Sequence, residues 1–167
     1  MFLLKELPSS QSIQRFISRY PDADVGAISA FLNILRAGAT ISAALDALLA
    51  QHGLLQGRWW VLVLLMREED FTSTPSDLAD KVGVTRATMT GLIDGLEQEG
   101  LVVRTMDALD RRKLLIRITP AGEAKLDQVM PVYYRRVKAL MSVLPKRQLA
   151  ELQQSLKCLS EHTDLLK

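Results

Sequence analysis

The sequence predicts a mainly α-helical protein with one small β-hairpin wing: a winged helix-turn-helix joined to a helical dimerisation layer. Three observations lead there. Between Thr74 and Gly100 two short helices follow one another, each with its own start signal. Two β-rich runs then enclose the charged tip Asp110-Arg111-Arg112-Lys113. Outside this stretch Leu and Ala dominate, and apolar residues recur at the three-and-four spacing of amphipathic helices.

The helix pair can be read residue by residue. Thr74 suits an N-cap, Pro75 the first helical position, and Asp77 completes a capping-box spacing. Leu78, Ala79 and Val82 give this helix one apolar side, and Gly83 can adopt the left-handed conformation that ends it. Thr85 can cap the second helix. There Met89, Leu92, Ile93 and Leu96 fall at i, i+3, i+4 and i+7, a buried stripe. Arg86, Ala87, Thr88, Thr90 and Gly91 lie mostly off the stripe and form a small polar surface suited to close approach to a major groove. Ser76 and Thr85 join the candidate DNA-binding set. Gly100 ends the helix. Leu101 to Thr105 and Leu114 to Ile118 make the hairpin, where Arg104, Arg111, Arg112, Lys113 and Arg117 stand against Asp107 and Asp110. From Phe71 to Thr119 basic and acidic residues are seven each, so the excess is local to the hairpin. Such a tip could equally be a solvated turn; the helix pair before it turns the reading towards nucleic acid.

Asp77-Leu78-Ala79, the run Val84 to Thr90, the run Leu96 to Val102, Asp110-Arg111-Arg112, and the run Leu115 to Gly122 together closely resemble the MarR family of bacterial transcription regulators. The resemblance covers the middle third closely and the flanking helices more loosely. It implies a homodimer with one winged helix-turn-helix per subunit, a recognition helix in the major groove of double-stranded DNA, and a wing arginine at the minor groove. Members often carry a basic residue where this chain has Gly91 and Gly95, which removes any phosphate contact from those two places.

The remainder divides into an N-terminal extension (1–20), a first dimerisation helix (21–56), the DNA-binding lobe (57–119) and C-terminal dimerisation helices (120–167). Ser9 can cap a short helix with Ile13, Phe16 and Ile17 on one side, and Pro21 separates it from the next. Asp22 or Asp24 can start a long helix that ends near His52-Gly53, with Gly38 marking a bend or close contact. The run Trp59 to Met66 reads as an enclosed helix, apolar on the side of Leu55, Trp59, Leu62 and Met66 and on that of Trp60 and Leu64. Thr119-Pro120 opens another long helix, kinked at Pro131 and ended by Pro145. The last helix carries Leu149, Leu152, Leu156, Leu159 and Leu166, more apolar face than a small domain needs. Leu149, Leu152, Leu156 and Leu159 are therefore assigned to a subunit seam. Cys158, beside that side, is expected to be a buried structural thiol.

The 167 residues are 48% apolar, with a net charge of only +2 and a single cysteine. That excludes an intrachain disulfide and fits a reducing cytoplasm. No uncharged stretch is long enough to span a bilayer. His52 lacks ligand-spaced partners, so no metal is expected, and no phosphate loop or nucleophile constellation points to an enzyme or a cofactor. The leading expectation is a dimeric repressor that binds a near-palindromic operator and is released by a small aromatic or anionic effector. The family's common ligand cleft lies between dimer layer and DNA-binding lobe. Here Phe31, Leu35, Trp59, Met66 and Tyr133 would line it, with Arg36 and Arg58 as carboxylate partners. A constitutive winged-helix DNA binder and a winged helix used for protein contacts are the alternatives.

Overall fold

The computed structural model describes residues 9–20, 22–107, 110 and 112–167; residues 1–8, Pro21, Ala108, Leu109 and Arg111 lie outside that set. The chain forms two compact units, Met1–Trp59 and Trp60–Lys167.

In the first unit, α1 (Ser10–Ile17) starts where Ser9 Oγ accepts the Ser12 N–H at 3.2 Å. Ile13 is buried and Phe16 exposed. The long α2 (Val25–Ala50) is capped by Asp24, whose carboxylate accepts the Ala27 N–H at 3.0 Å. A Cβ on Gly38 would meet open space, so this glycine marks no close contact among the described residues. By length and composition α2 is apolar enough to cross a membrane, although Arg36 and Asp46 interrupt it. It exposes Phe31, Ile34 and Ile41.

The boundary between units falls within α3 (Gln56–Arg67). As its sparse β-branching predicts, the apolar run is helical, with Trp59, Val61, Leu62, Val63 and Leu65 buried. Leu55 departs from the expected enclosed side. It precedes the helix and is 61% exposed.

The second unit continues with β1 (Thr72–Ser73), α4 (Pro75–Val82), α5 (Arg86–Gln98), β2 (Val102–Met106), β3 (Leu114–Ile118), α6 (Pro120–Met141) and α7 (Lys146–Glu161). The sheet is antiparallel in the order β1-β3-β2. The hairpin register runs from Val102 opposite Ile118 to Met106 opposite Leu114. The strand β1, absent from the sequence reading, adds two residues to the outer edge of β3. Two residues have no periodicity to detect; their pairing exists only once β3 is in place.

Beneath the sheet, Leu78 and Ala79 of α4, Met89, Ile93 and Leu96 of α5, and Ile116 and Ile118 of β3 are buried. Each of the larger side chains contributes about 1.5–3 kcal/mol by leaving water. The stripe predicted for α5 is therefore what seats the helix, although Leu92 is only half-buried. Thr119 caps α6 and also donates Oγ–H to the Gly100 carbonyl at 2.7 Å, tying the base of the hairpin to the next helix.

Three C-terminal expectations need correction. The helix α6, with Pro131 inside it, ends at Met141, before Pro145; that proline instead precedes α7 as its N-cap residue. Leu166 belongs to a terminal 3₁₀ turn, Thr163–Leu166, because α7 stops at Glu161. Cys158 is exposed, not buried, since α7 carries no buried residue within the single chain.

Candidate nucleic-acid interface

The helix-turn-helix is assembled by local hydrogen bonds that the side chains dictate. Thr74 Oγ accepts the Asp77 N–H at 3.2 Å, with Pro75 in the first turn. The Asp77 carboxylate does not behave as a simple capping-box partner. It takes the Ser73 hydroxyl at 2.6 Å and pairs with Lys81 at 2.8 Å, and Lys81 also reaches Glu68 at 2.6 Å. The Lys81 and Ser73 hydrogen bonds hold the Asp77 carboxyl below its ordinary value, and Asp77 and Glu68 hold the Lys81 ammonium above its own. Gly83 sits at φ +76°, and both its N–H and that of Val84 reach the Ala79 carbonyl, at 2.9 and 3.0 Å. A side chain there would be strained. The sharp turn delivers Thr85, which caps α5 by accepting the Thr88 N–H at 3.2 Å.

This geometry sets which residues of α5 face out. Met89 is buried, whereas Thr85, Arg86, Ala87, Thr88, Thr90 and Gly91 are exposed on the first turns. Three of the hydroxyls are already oriented: Thr85 Oγ and Thr88 Oγ lie 2.9 Å apart, and Thr90 Oγ–H donates to the Arg86 carbonyl at 3.0 Å. Arg86 supplies the positive charge at this end. Ser76, on α4, is half-buried, and Gly95 is buried. A basic side chain at position 95 would thus start from an interior position, so its loss here removes no exposed surface.

At the wing tip two aspartates build the turn. Asp107 Oδ1 accepts the Asp110 N–H at 2.9 Å. Asp110 Oδ1 then accepts both the backbone N–H and Nε–H of Arg112, at 3.1 and 3.2 Å. The Lys113 N–H closes on the Asp110 carbonyl at 2.8 Å, and the Asp107 N–H on the Lys113 carbonyl at 3.0 Å. The Asp110–Arg112 bond is an Asx turn, and both aspartates satisfy backbone donors with short acidic side chains. Asp107 entered the sequence reading only as a negative charge. Its spacing three residues before Asp110 was the available signal. The Arg112 side chain is 92% exposed and therefore projects from a braced backbone. Arg111 lies outside the described residues.

Arg104 corrects the charge tally. Counted with the basic excess of the hairpin, it is spent internally: its guanidinium, on β2, pairs with Asp94 and Glu97 of α5. These bonds raise the Arg104 pKa, the Asp94 hydrogen bond most. They also join wing to helix, so among the described residues of α5 and the hairpin the outward basic set is Arg86, Arg112, Lys113 and Arg117.

The other predicted residues fall as follows. Phe31 and Arg36 are exposed and Leu35 half-buried on α2, Arg58 and Met66 are half-buried on α3, and Tyr133 is half-buried on α6. Trp59 is 1% exposed and so belongs to the packed interior. On α7, Leu149 is half-buried, while Leu152, Leu156 and Leu159 form an exposed apolar stripe.

Fold and site together define a winged helix-turn-helix DNA-binding protein. The family model of the MarR family matches residues 52–113. The HTH-type transcriptional repressor YetL of Bacillus subtilis (strain 168) is 33% identical over 138 residues, covering 83% of this chain and 83% of that one. The chain therefore belongs to the MarR family and is a transcription regulator, not an enzyme. Among solved structures, CouR from Rhodococcus jostii RHA1, bound to p-coumaroyl-CoA, is 26% identical with a TM-score of 0.68, covering 77% of this chain and 89% of that one. Sco3205 from Streptomyces coelicolor, a MarR family regulator in complex with DNA, shares the fold at a TM-score of 0.77 and 20% identity, covering 83% and 89%.

Proposed function

We propose that the protein is a cytoplasmic, homodimeric repressor that holds a near-palindromic operator and is released from it by a small aromatic or anionic effector. The observation that carries the DNA part is the common outward presentation of α5 and the wing: Arg86, Ala87, Thr88 and Thr90 are exposed while Met89 anchors the helix, and Arg112 projects from the Asp110 turn. Arg86 donates to a guanine edge or phosphate, and the threonines contact bases, methyls or phosphates. Arg111 and Arg112 suit a narrow minor groove, with Lys113 near the backbone. A dimer built from segments 21–56 and 120–167, with Leu149, Leu152, Leu156 and Leu159 in the seam, would present two recognition helices to half-sites about 10–10.5 base pairs apart.

The repressor role is supported by the relationship to YetL, and the ligand response by the similarity to CouR. Release requires an effector that prefers a dimer whose recognition helices no longer match the groove spacing; equal affinity for both forms would shift nothing. Phe31, Leu35, Met66 and Tyr133 remain the proposed apolar lining, with Arg36 and Arg58 for a carboxylate; Trp59, packed in the interior, is withdrawn from it. Titration with benzoates, hydroxycinnamates and salicylate tests this. An effector should change tryptophan emission and weaken DNA binding over one concentration range. If none changes either signal, and the purified protein carries no small molecule, a constitutive DNA binder is the better account.

A further inference from the structure

We propose that the groove between α1 and α2 binds an amphipathic acid, with its apolar chain in the groove and its anionic head on Arg15 and Arg19. This deepens the effector reading above and rests on it for any consequence at DNA, but it concerns a different place on the chain.

Two cavities adjoin there. One, of about 330 Å³, is walled by Ser12, Ile13, Phe16, Ile17, Ile28 and Leu32, so its lining is apolar apart from one serine. The other, of about 430 Å³, is walled by Ser12, Arg15, Phe16, Arg19 and Tyr20. Ser12 and Phe16 line both, which puts the apolar cleft directly beside two guanidinium groups. Each volume falls in the range of about 300–1,000 Å³ usual for small-molecule sites.

The chain past α1 is held in place. The Arg19 N–H reaches the Phe16 carbonyl at 3.2 Å and the Tyr20 N–H reaches that of Ile17 at 2.8 Å. The Phe16 and Tyr20 rings lie 5.3 Å apart between centroids. Among the described residues neither Arg15 nor Arg19 has an ion-pair partner, and the Asp24 carboxylate caps α2. Two neighbouring cations repel until an anion sits between them, and a guanidinium meets carboxylate or phosphate with parallel hydrogen bonds. An uncharged apolar ligand would leave that repulsion in place. An anion without a chain would leave the cleft wet. An amphipathic acid satisfies both halves, and its head is either a free carboxylate or the phosphates of a coenzyme A thioester.

The test is calorimetry on the full-length protein without DNA, using decanoate, decanoyl-CoA, coenzyme A and decanol below their micellar concentrations. Decanoate or decanoyl-CoA should bind. Arg15→Gln with Arg19→Gln, both on the surface, should weaken that binding about tenfold or more through lost charge-assisted hydrogen bonds. The pair should leave decanol unchanged. Ile28→Trp, which fills the cleft, should weaken every chain-bearing ligand while circular dichroism shows the helices retained. Tighter binding of decanoyl-CoA than of decanoate assigns the head as phosphate; the reverse assigns it as carboxylate. No binding by either acid, or equal binding to the arginine double variant, overturns the proposal. So does conversion of a dimer to a monomer by Phe16→Asp, which would make the groove a subunit surface. Because DNA is absent, failure here leaves the operator and effector reading standing.

Discussion

Arg104 of β2 is ion-paired with Asp94 of α5, so the wing is fastened to the helix that carries the candidate DNA-reading surface. Glu97, one turn further along α5, completes the clamp. Replacing Arg104 with Met should lower stability by about 1 kcal/mol, the upper end for a partly exposed pair, and leave two acids facing the wing. DNA binding should weaken with it. A melting curve and an operator affinity both equal to wild type would contradict the clamp.

Gly122 packs against the base of the hairpin with no room for a side chain. A Cβ there would stand 2.2 Å from the Leu101 carbonyl oxygen and 2.6 Å from Ile118 Cγ1. Gly122→Ala should therefore force α6 away from the base of the hairpin and cost about 1–3 kcal/mol, as overpacking usually does. Gly91→Ala, where nothing lies within 4 Å, is the matched control and should be neutral or slightly stabilising. Denaturant unfolding of the two variants checks the contrast.

The Ser73–Asp77–Lys81–Glu68 cluster gives stability a pH signature. The folded pKa of Asp77 is depressed below 3.8, so its contribution is fully present above that value and is lost as pH falls through the lower, folded pKa. Lys81 has its pKa raised above 10.5, so its contribution is present below 10.5 and is lost as pH rises through the higher, folded pKa. Both groups are well solvated, so the effect at neutral pH is small. Asp77→Asn should be slightly less stable than wild type at pH 7, and the gap should close in strong acid. A gap that widens on acidification would show the carboxylate to be destabilising.

Leu152 and Leu156 are 39% and 41% exposed on a helix without a buried residue. Replacing both with Glu should leave the subunit fold intact while sedimentation shows a monomer, and DNA binding should fall with the dimer. A folded monomer of the unaltered protein would remove the assigned seam.

What the sequence revealed follows from how local each interaction is. The caps at Ser9, Thr74, Thr85 and Thr119, and the left-handed turn at Gly83, depend on residues three or four apart and were legible directly. The buried stripe of α5 was legible as periodicity. Less visible were features fixed by partners distant along the chain. The strand β1 exists through β3, and Arg104 changes from one of the hairpin's basic charges to a clamp only when β2 lies beside α5. The Asp77 carboxylate, read as a capping-box partner, instead meets Ser73 and Lys81. Exposure of Cys158 could not be read from the apolar spacing of α7, because spacing says which residues share a side and not what covers it.

If α5 and the wing hold DNA, Arg112→Ala must alter both the affinity for DNA and its salt dependence. An operator duplex selected from random sequence would be titrated with wild type and variant across a range of salt. Arg112→Ala should bind more weakly, with a log–log salt slope shallower by about one contact and the melting temperature unchanged. Equal affinity and equal slope in the folded variant would contradict it.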